Sequence, residues 1–446
     1  MKSFIKKKPS LLLKFFIFIS SFLLLSCQNS AINDSSVTTS KNKVSQQTSL
    51  KYKNFRDPLG ILSNPQKIDL NKYKVYNSQS DKELKKITNR VSSTGYQIKD
   101  LGLLTWGTKN YTSGVAISDK GYVTGIASWH YTPFHAFVWD KHDMKDLGAL
   151  PATFPSATGN DINDNGLIVG QSYLNYESNC CYFVPVIWNN TNKPKILSIK
   201  NANNIFDGGT ATGVNNRGQV VGYLRRGYRE RAFIWQAKSG IQFVKQFNGY
   251  PFQSTFTAIN NEGIAVGYYA HGAAFLYNSN TKTYKKLNHF GQKSGCVTAE
   301  AIPLDINDKG QITGYTHCIP DHKRWVRAFI YDPATGIHFI KLPNYVSPNA
   351  GAVGNAINDK GQVVGYYTDY VNHHAAHRAF VWDARKGFRD LGVLDQNASH
   401  YWVNFSQAND INNKGEITGG SYIHGQYHAV IWTVKMGKKA VGKANN

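Results

Sequence analysis

Short apolar strands alternate with one recurrent polar turn between residues 96 and 434. The turn comes seven times, as Ser118-Asp119-Lys120-Gly121, Asn163-Asp164-Asn165-Gly166, Asn215-Asn216-Arg217-Gly218, Asn260-Asn261-Glu262-Gly263, Asn307-Asp308-Lys309-Gly310, Asn358-Asp359-Lys360-Gly361 and Asn412-Asn413-Lys414-Gly415. Its glycines sit 45, 52, 45, 47, 51 and 54 residues apart. Asn and Asp tolerate the tight backbone and Gly supplies positive φ, so each turn predicts a hairpin between the apolar segments beside it, such as Ala356-Ile357 and Val363-Val364-Gly365-Tyr366. A third strand follows each hairpin, as in Ala379-Phe380-Val381-Trp382-Asp383; it is apolar on both faces and belongs between neighbouring sheets. A fourth strand closes six of the repeats, from Lys145 to Leu150 in the first to Phe388 to Leu394 in the sixth. The seventh repeat stops near Thr433 without one. Its counterpart lies at the other end, where Tyr96 to Gly102 matches Phe388 to Gly392 in type and spacing.

That permutation gives a linear solenoid no advantage and latches a ring. The expected fold is therefore all-β, a seven-bladed β-propeller of four-stranded repeats, closed by the N-terminal strand joining the last blade. Four segments are expected: a lipoprotein signal peptide over 1–26, a lipid-anchored polar tether with partial order over 27–95, the propeller over 96–434 and a basic flexible tail over 435–446.

The first segment places Lys2, Lys6, Lys7 and Lys8 before an apolar run from Phe15 to Leu25, too short to span a bilayer as a helix. Leu24-Leu25-Ser26-Cys27 looks like the lipobox of bacterial lipoproteins. That resemblance implies cleavage after Ser26, lipidation of Cys27 and anchoring in a membrane. Gln28 in place of Asp favours the outer membrane or cell surface.

Charge narrows the partners. The formal net charge is +23, and loss of residues 1–26 removes five lysines and no acid, leaving +18. Such a chain outside the cytoplasm is drawn to acidic polymers or lipid headgroups. An envelope protein or an acidic polysaccharide is the expected partner besides the membrane, with no nucleic acid in vivo and a monomeric state.

His135-Ala136-Phe137-Val138-Trp139-Asp140, Asp146-Leu147-Gly148 and Ala356 to Tyr366 resemble the HAF-repeat family of predicted bacterial extracellular proteins over roughly residues 96 to 433. The tripeptide drifts to Arg231-Ala232-Phe233, Arg327-Ala328-Phe329, Arg378-Ala379-Phe380 and His428-Ala429-Val430. The resemblance implies export and a repeat fold; it brings no catalytic residues.

Connections at the end away from the turns are the expected place for function. They include Tyr173 to Phe183, Thr316 to Arg327 and Thr368 to His377, and the candidate ligand-binding residues there are Trp106, Trp129, His130, Tyr131, Trp325, His374, His377, Tyr401 and Trp402. Cys296 and Cys318 flank one hairpin and are the candidate disulfide. No GxSxG, HExxH, Walker A or GxGxxG sequence is present. No catalytic residue, metal site or cofactor is assigned. The expected function is non-catalytic binding at the cell envelope through the long-loop face. The alternative is a polysaccharide hydrolase or lyase using the central pocket, for which Asp161, Asp305 and Asp410 are carboxylates placed near the short turns, on the wrong face.

Overall fold

At every recurrent turn the first Asn or Ser accepts the N–H of the glycine three residues on, and the chain reverses into an antiparallel hairpin. The buried Asn side chains fix the loop further: Asn358 Oδ1 accepts the backbone N–H groups of Lys360 and Gln362. The computed structural model describes residues 90–91, 95–104, 110–129, 133–175, 181–189, 193–197, 208–226, 229–244, 253–269, 273–287, 300–318, 325–344, 346, 350–371, 374–395 and 405–435. All of them fall in the unit made of Lys74–Tyr176 and Cys181–Asn446. The expected signal peptide, Cys27, most of the expected tether and the expected tail beyond Lys435 lie outside the described residues.

The described residues contain no helix. Five four-stranded antiparallel sheets carry the second to sixth repeats. The third is representative: Gly208–Val214, Val220–Arg226, Arg229–Gln236 and Gly240–Phe243 pair in that order. A nine-stranded sheet holds the first and seventh repeats. In it Gln426–Val434 pairs with Ile417–Ile423 on one side and with Tyr96–Gly102 on the other, and meets Asn110–Ile117 through the bridge Tyr427 to Tyr111.

Burial explains the tripeptide motif. Ala136, Ala232, Ala328 and Ala379, with Phe137, Phe233, Phe329 and Phe380, have no exposed surface, so a small and a large residue alternate between stacked sheets. The first residue of the motif reaches the outer strand instead. His135 Nδ1 meets Asp146 Oδ2 at 2.8 Å, Arg378 grips both oxygens of Asp390, and His428 Nδ1 meets Asp100 at 2.9 Å. Each of these aspartates also accepts the N–H of the glycine two residues later, Gly148, Gly392 or Gly102. Tyr96–Gly102 thus fills the fourth-strand role for the last repeat, as its matching sequence predicts.

Neighbouring repeats are tied at the turn end by two sets of hydrogen bonds. Nδ2 of Asn163, Asn215, Asn260, Asn307, Asn358 and Asn412 donates to a carbonyl of the next turn, the last reaching Ser118. The backbone N–H of each second turn residue donates to Oδ1 of its counterpart in the next repeat at 2.7–2.9 Å, from Asp119 to Asp164 onward, and Asn413 donates to Asp119. Stacked four-stranded sheets joined in this way make a β-propeller fold.

Candidate functional site

The end of the sheets opposite the turns, here the mouth, is built from a backbone constraint. In each second strand a glycine lies across from the bulge of the first strand; a Cβ on Gly222 or Gly365 would come within 2.1 or 1.9 Å of a carbonyl oxygen. Only glycine fits there. The next residue, five positions after each turn glycine, is Tyr223, Tyr268, Tyr315 and Tyr366 in four consecutive repeats. In the seventh repeat that position is Gly420, and the ring of Tyr427 occupies the space, its Cε1 2.2 Å from where a Cβ would stand.

From Tyr366 the rings continue across three repeats. Tyr366 stacks on His377 with centroids 4.5 Å apart, and His377 stacks on Phe405 at 4.9 Å. Phe405 meets Tyr422 and Tyr427 edge-on, each at 5.9 Å. Tyr427 then stacks on Tyr111 at 5.1 Å with planes 14° apart. Offset and edge arrangements of this kind hold ring faces in fixed positions.

Burial keeps His377, Tyr366 and Tyr427 uncharged. Burial pushes the His377 imidazole down to about 4, leaving it neutral at neutral pH, and its Nδ1 has no hydrogen-bond partner. Burial pushes the Tyr366 phenol up to about 12 and the Tyr427 phenol well above its ordinary value. The Tyr427 hydroxyl and Gln407 Oε1 are also buried without partners. These groups suit hydrogen bonding and stacking; neutral, high-pKa phenols are poor nucleophiles or bases.

A polar corner lies in the third and fourth repeats. Arg225 pairs with Glu230, whose other oxygen accepts the Thr255 hydroxyl at 2.9 Å. Burial first, and Glu230 second, raise the Tyr223 and Tyr268 phenols. The hairpin that carries the pair also bears Arg226, Arg229 and Arg231, four arginines to one glutamate.

Of the residues singled out from sequence, His377 lies within the aromatic arc. Trp129 ends a second strand, Trp325 opens a third strand opposite Cys318, and His374 opens another opposite Val371. Trp106, His130, Tyr131, Tyr401, Trp402 and Cys296 lie outside the described residues. The segments Tyr173 to Phe183, Thr316 to Arg327 and Thr368 to His377, expected as loops, are strand at all of their described residues. Leu167–Asn175 continues to pair with Cys181–Asn189, and Val363–Val371 with His374–Asp383, because the ladder holds wherever residues alternate, polar or not. Tyr366, Tyr422 and Tyr427 were not singled out; the recurrent Gly-Tyr after the turn was the available signal for the first of them.

Asp161, Asp305 and Asp410 lie at the turn end. One oxygen of each accepts the next residue's N–H, and the other accepts a backbone N–H of the following repeat, Val214, Ile357 or Ile117, at 2.7–2.8 Å. Burial, with the neighbouring carboxylates as a further cause, pushes them up to about 7, 6 and 8. Both oxygens are engaged in joining repeats. Among the described residues no group of three His, Cys, Asp or Glu could hold a metal ion.

Residues 150–290 and 343–426, together half of the chain, match the model of a family described as proteins of unknown function, DUF3466. The chain belongs to the DUF3466 family. The matched stretches include Tyr223, Tyr268, Tyr366, His377, Phe405 and Tyr422 of this DUF3466 protein. No curated protein matches its sequence. Among solved structures it is similar to an oligogalacturonate lyase from Vibrio parahaemolyticus, with 11% identity, 78% of this chain and 96% of that one covered, and a TM-score of 0.50. An oligogalacturonate lyase in complex with manganese aligns at 11% identity over 77% of this chain and 95% of that one, with a TM-score of 0.49. The β-propeller domain of the Trilobed protease from Pyrococcus furiosus aligns at 14% identity over 77% of this chain and all of that one, with a TM-score of 0.43. At these identities the likeness concerns the fold.

Proposed function

We propose that this DUF3466 protein is an exported lipoprotein, anchored through Cys27 at the outer membrane or cell surface, whose repeats close into a seven-bladed propeller that binds an acidic glycan at its mouth without transforming it. The closure is supported by the pairing of Tyr96–Gly102 with Gln426–Val434 and by the bond from Asn413 to Asp119. Export is supported by the leader and by the HAF-repeat resemblance of the third strands.

One observation carries the binding function: the arc of six fixed rings from Tyr366 to Tyr111, next to tyrosines at the same position in three preceding repeats. Pyranose rings present flat C–H faces that pack on such rings, and protonated phenols bond their hydroxyls. The arginine-rich hairpin from Arg225 to Arg231 favours a glycan that carries carboxylates or sulfates. Glycan cleavage finds less support. Hydrolysis needs two facing carboxyl groups about 5–9.5 Å apart, whereas Asp161, Asp305 and Asp410 sit at the turn end with their oxygens engaged between repeats.

The test is titration calorimetry against neutral and uronate-containing oligosaccharides at low and high salt. Acidic oligosaccharides bind, salt weakens them, and Tyr366→Ala reduces affinity about tenfold, the order of one lost stacking contact. Equal affinity for neutral and acidic chains would remove the charge component, and no binding by either would remove the function.

A further inference from the structure

The turn end presents a charge pattern that the mouth does not use. The third residue of each recurrent turn is exposed, and in the fifth, sixth, seventh and first repeats it is Lys309, Lys360, Lys414 and Lys120. These turns are consecutive, because Asp308 donates to Asp359, Asp359 to Asn413 and Asn413 to Asp119. The lysines therefore form an unbroken row. In the remaining repeats the same position holds Asn165 and the pair Arg217 with Glu262, 3.6 Å apart, so the row has a defined sector.

Other cations extend that sector outward. The turns from third to fourth strand emerge at the same end, as Asn280 bonding to the Glu262 carbonyl shows in the fourth repeat. They expose Arg385 and Lys386 in the sixth repeat and Lys141 in the first. Asp143 is an exposed acid there, while Asp119, Asp308, Asp359 and Glu416 are half-buried and accept bonds along the rim.

The chain leaves its last strand at this end too. In the seventh repeat the turn from third to fourth strand is replaced by two separate segments, with Lys435 N–H donating to the Gly95 carbonyl at 2.9 Å. Residues 435–446, which follow that strand, contain four lysines and no acid.

We propose that the turn end of the first, fifth, sixth and seventh repeats is a docking surface for an anionic phospholipid bilayer. It seats the body with the mouth directed away from the membrane. The turns are tied in one row, so the lysines reach a flat surface together. Each basic residue close to an anionic leaflet strengthens binding about fivefold, and the effect fades within a Debye length of about 8–10 Å.

The experiment uses the chain from residue 27 onward with Cys27→Ser, so that no acyl chain contributes. It is sedimented with vesicles of phosphatidylglycerol and phosphatidylcholine, or of phosphatidylcholine alone. Binding to the anionic vesicles only, abolished by high salt, is expected. Reversal of the row by Lys120→Glu, Lys309→Glu, Lys360→Glu and Lys414→Glu weakens it by about a hundredfold or more. The control reverses exposed basic residues off the row, Lys195→Glu, Lys285→Glu, Arg327→Glu and Lys341→Glu, and leaves most of the binding in place. Thermal melting by circular dichroism establishes that both variants are folded. Equal losses in the two variants, or none in the first, overturn the proposal. So does binding to a soluble acidic polysaccharide that the row reversal abolishes while vesicle binding persists. Glycan titration at the mouth reads independently, since the row reversal leaves it unchanged.

Discussion

The ring of Tyr427 lies over Gly420, filling the place that Tyr223, Tyr268, Tyr315 and Tyr366 fill from the second strands of four other repeats. One strand supplies the backbone and its neighbour the ring. Gly420→Val therefore drives the Tyr427 ring out of its stack with Tyr111. Overpacking of this kind costs about 1–3 kcal/mol, so the thermal midpoint falls, and glycan affinity falls with it. A variant with unchanged melting and binding would show that the ring has another place to go.

Asn358 is buried and makes three kinds of bond: it accepts from Lys360 and Gln362, donates to Gln362 Oε1, and donates to the Asn412 carbonyl of the next repeat. Asn358→Ala leaves these groups unpaired in the interior. The expected loss is about 1–3 kcal/mol per unsatisfied buried group, measured by urea denaturation. Lys360→Ala, at the exposed tip of the same turn, changes stability little.

Asp161, Asp305 and Asp410 hold protons in the folded chain up to about pH 7, 6 and 8, whereas an unfolded aspartate releases its proton near 3.9. Between those limits the folded state binds more protons than the unfolded one. Stability from these groups is therefore greatest at or below about pH 4 and declines as pH rises towards 8. Thermal melting of Asp410→Ala across this range has a shallower decline than the unsubstituted chain, although its midpoint is lower because Ile117 and Ile411 lose an acceptor. An identical slope would mean that Asp410 is ionised throughout.

His377 works in the opposite direction. Its imidazole titrates near 4 when folded and near 6.5 when unfolded, so the unfolded chain takes up the proton first as pH falls, and stability drops between pH 6.5 and 4. His377→Phe keeps the stack on Tyr366 and Phe405 and abolishes that drop. The difference in thermal midpoint between the two proteins should grow steadily from pH 7 to pH 4.

The hairpins were legible because Asn, Asp and Gly at the turn are dictated by local backbone geometry. The role of Tyr96–Gly102 was legible because Asp100 and Gly102 repeat the pattern of Asp390 and Gly392. The mouth was read less well. Loops were expected along the whole of the connections from second to third strand, yet Tyr370 and Ala375, or Leu174 and Tyr182, pair as ladder neighbours far beyond the apolar core. A backbone ladder can continue wherever its partner continues, and composition does not reveal that. The contact between Tyr111 and Tyr427, 316 positions apart, depends on how the repeats are brought round, so no local pattern announces it.

Tyr96–Gly102 is synthesised before any of the repeats, yet its partner, Gln426–Val434, belongs to the seventh of them. The last sheet cannot be completed while the chain is still emerging, and pairing across such a separation is intrinsically slow. A polypeptide that has to cross a membrane unfolded benefits from that delay. In the exported protein proposed above, the sheet shared by the first and last repeats is completed only after all seven have crossed, and assembly ends where Tyr96–Gly102 meets Gln426–Val434.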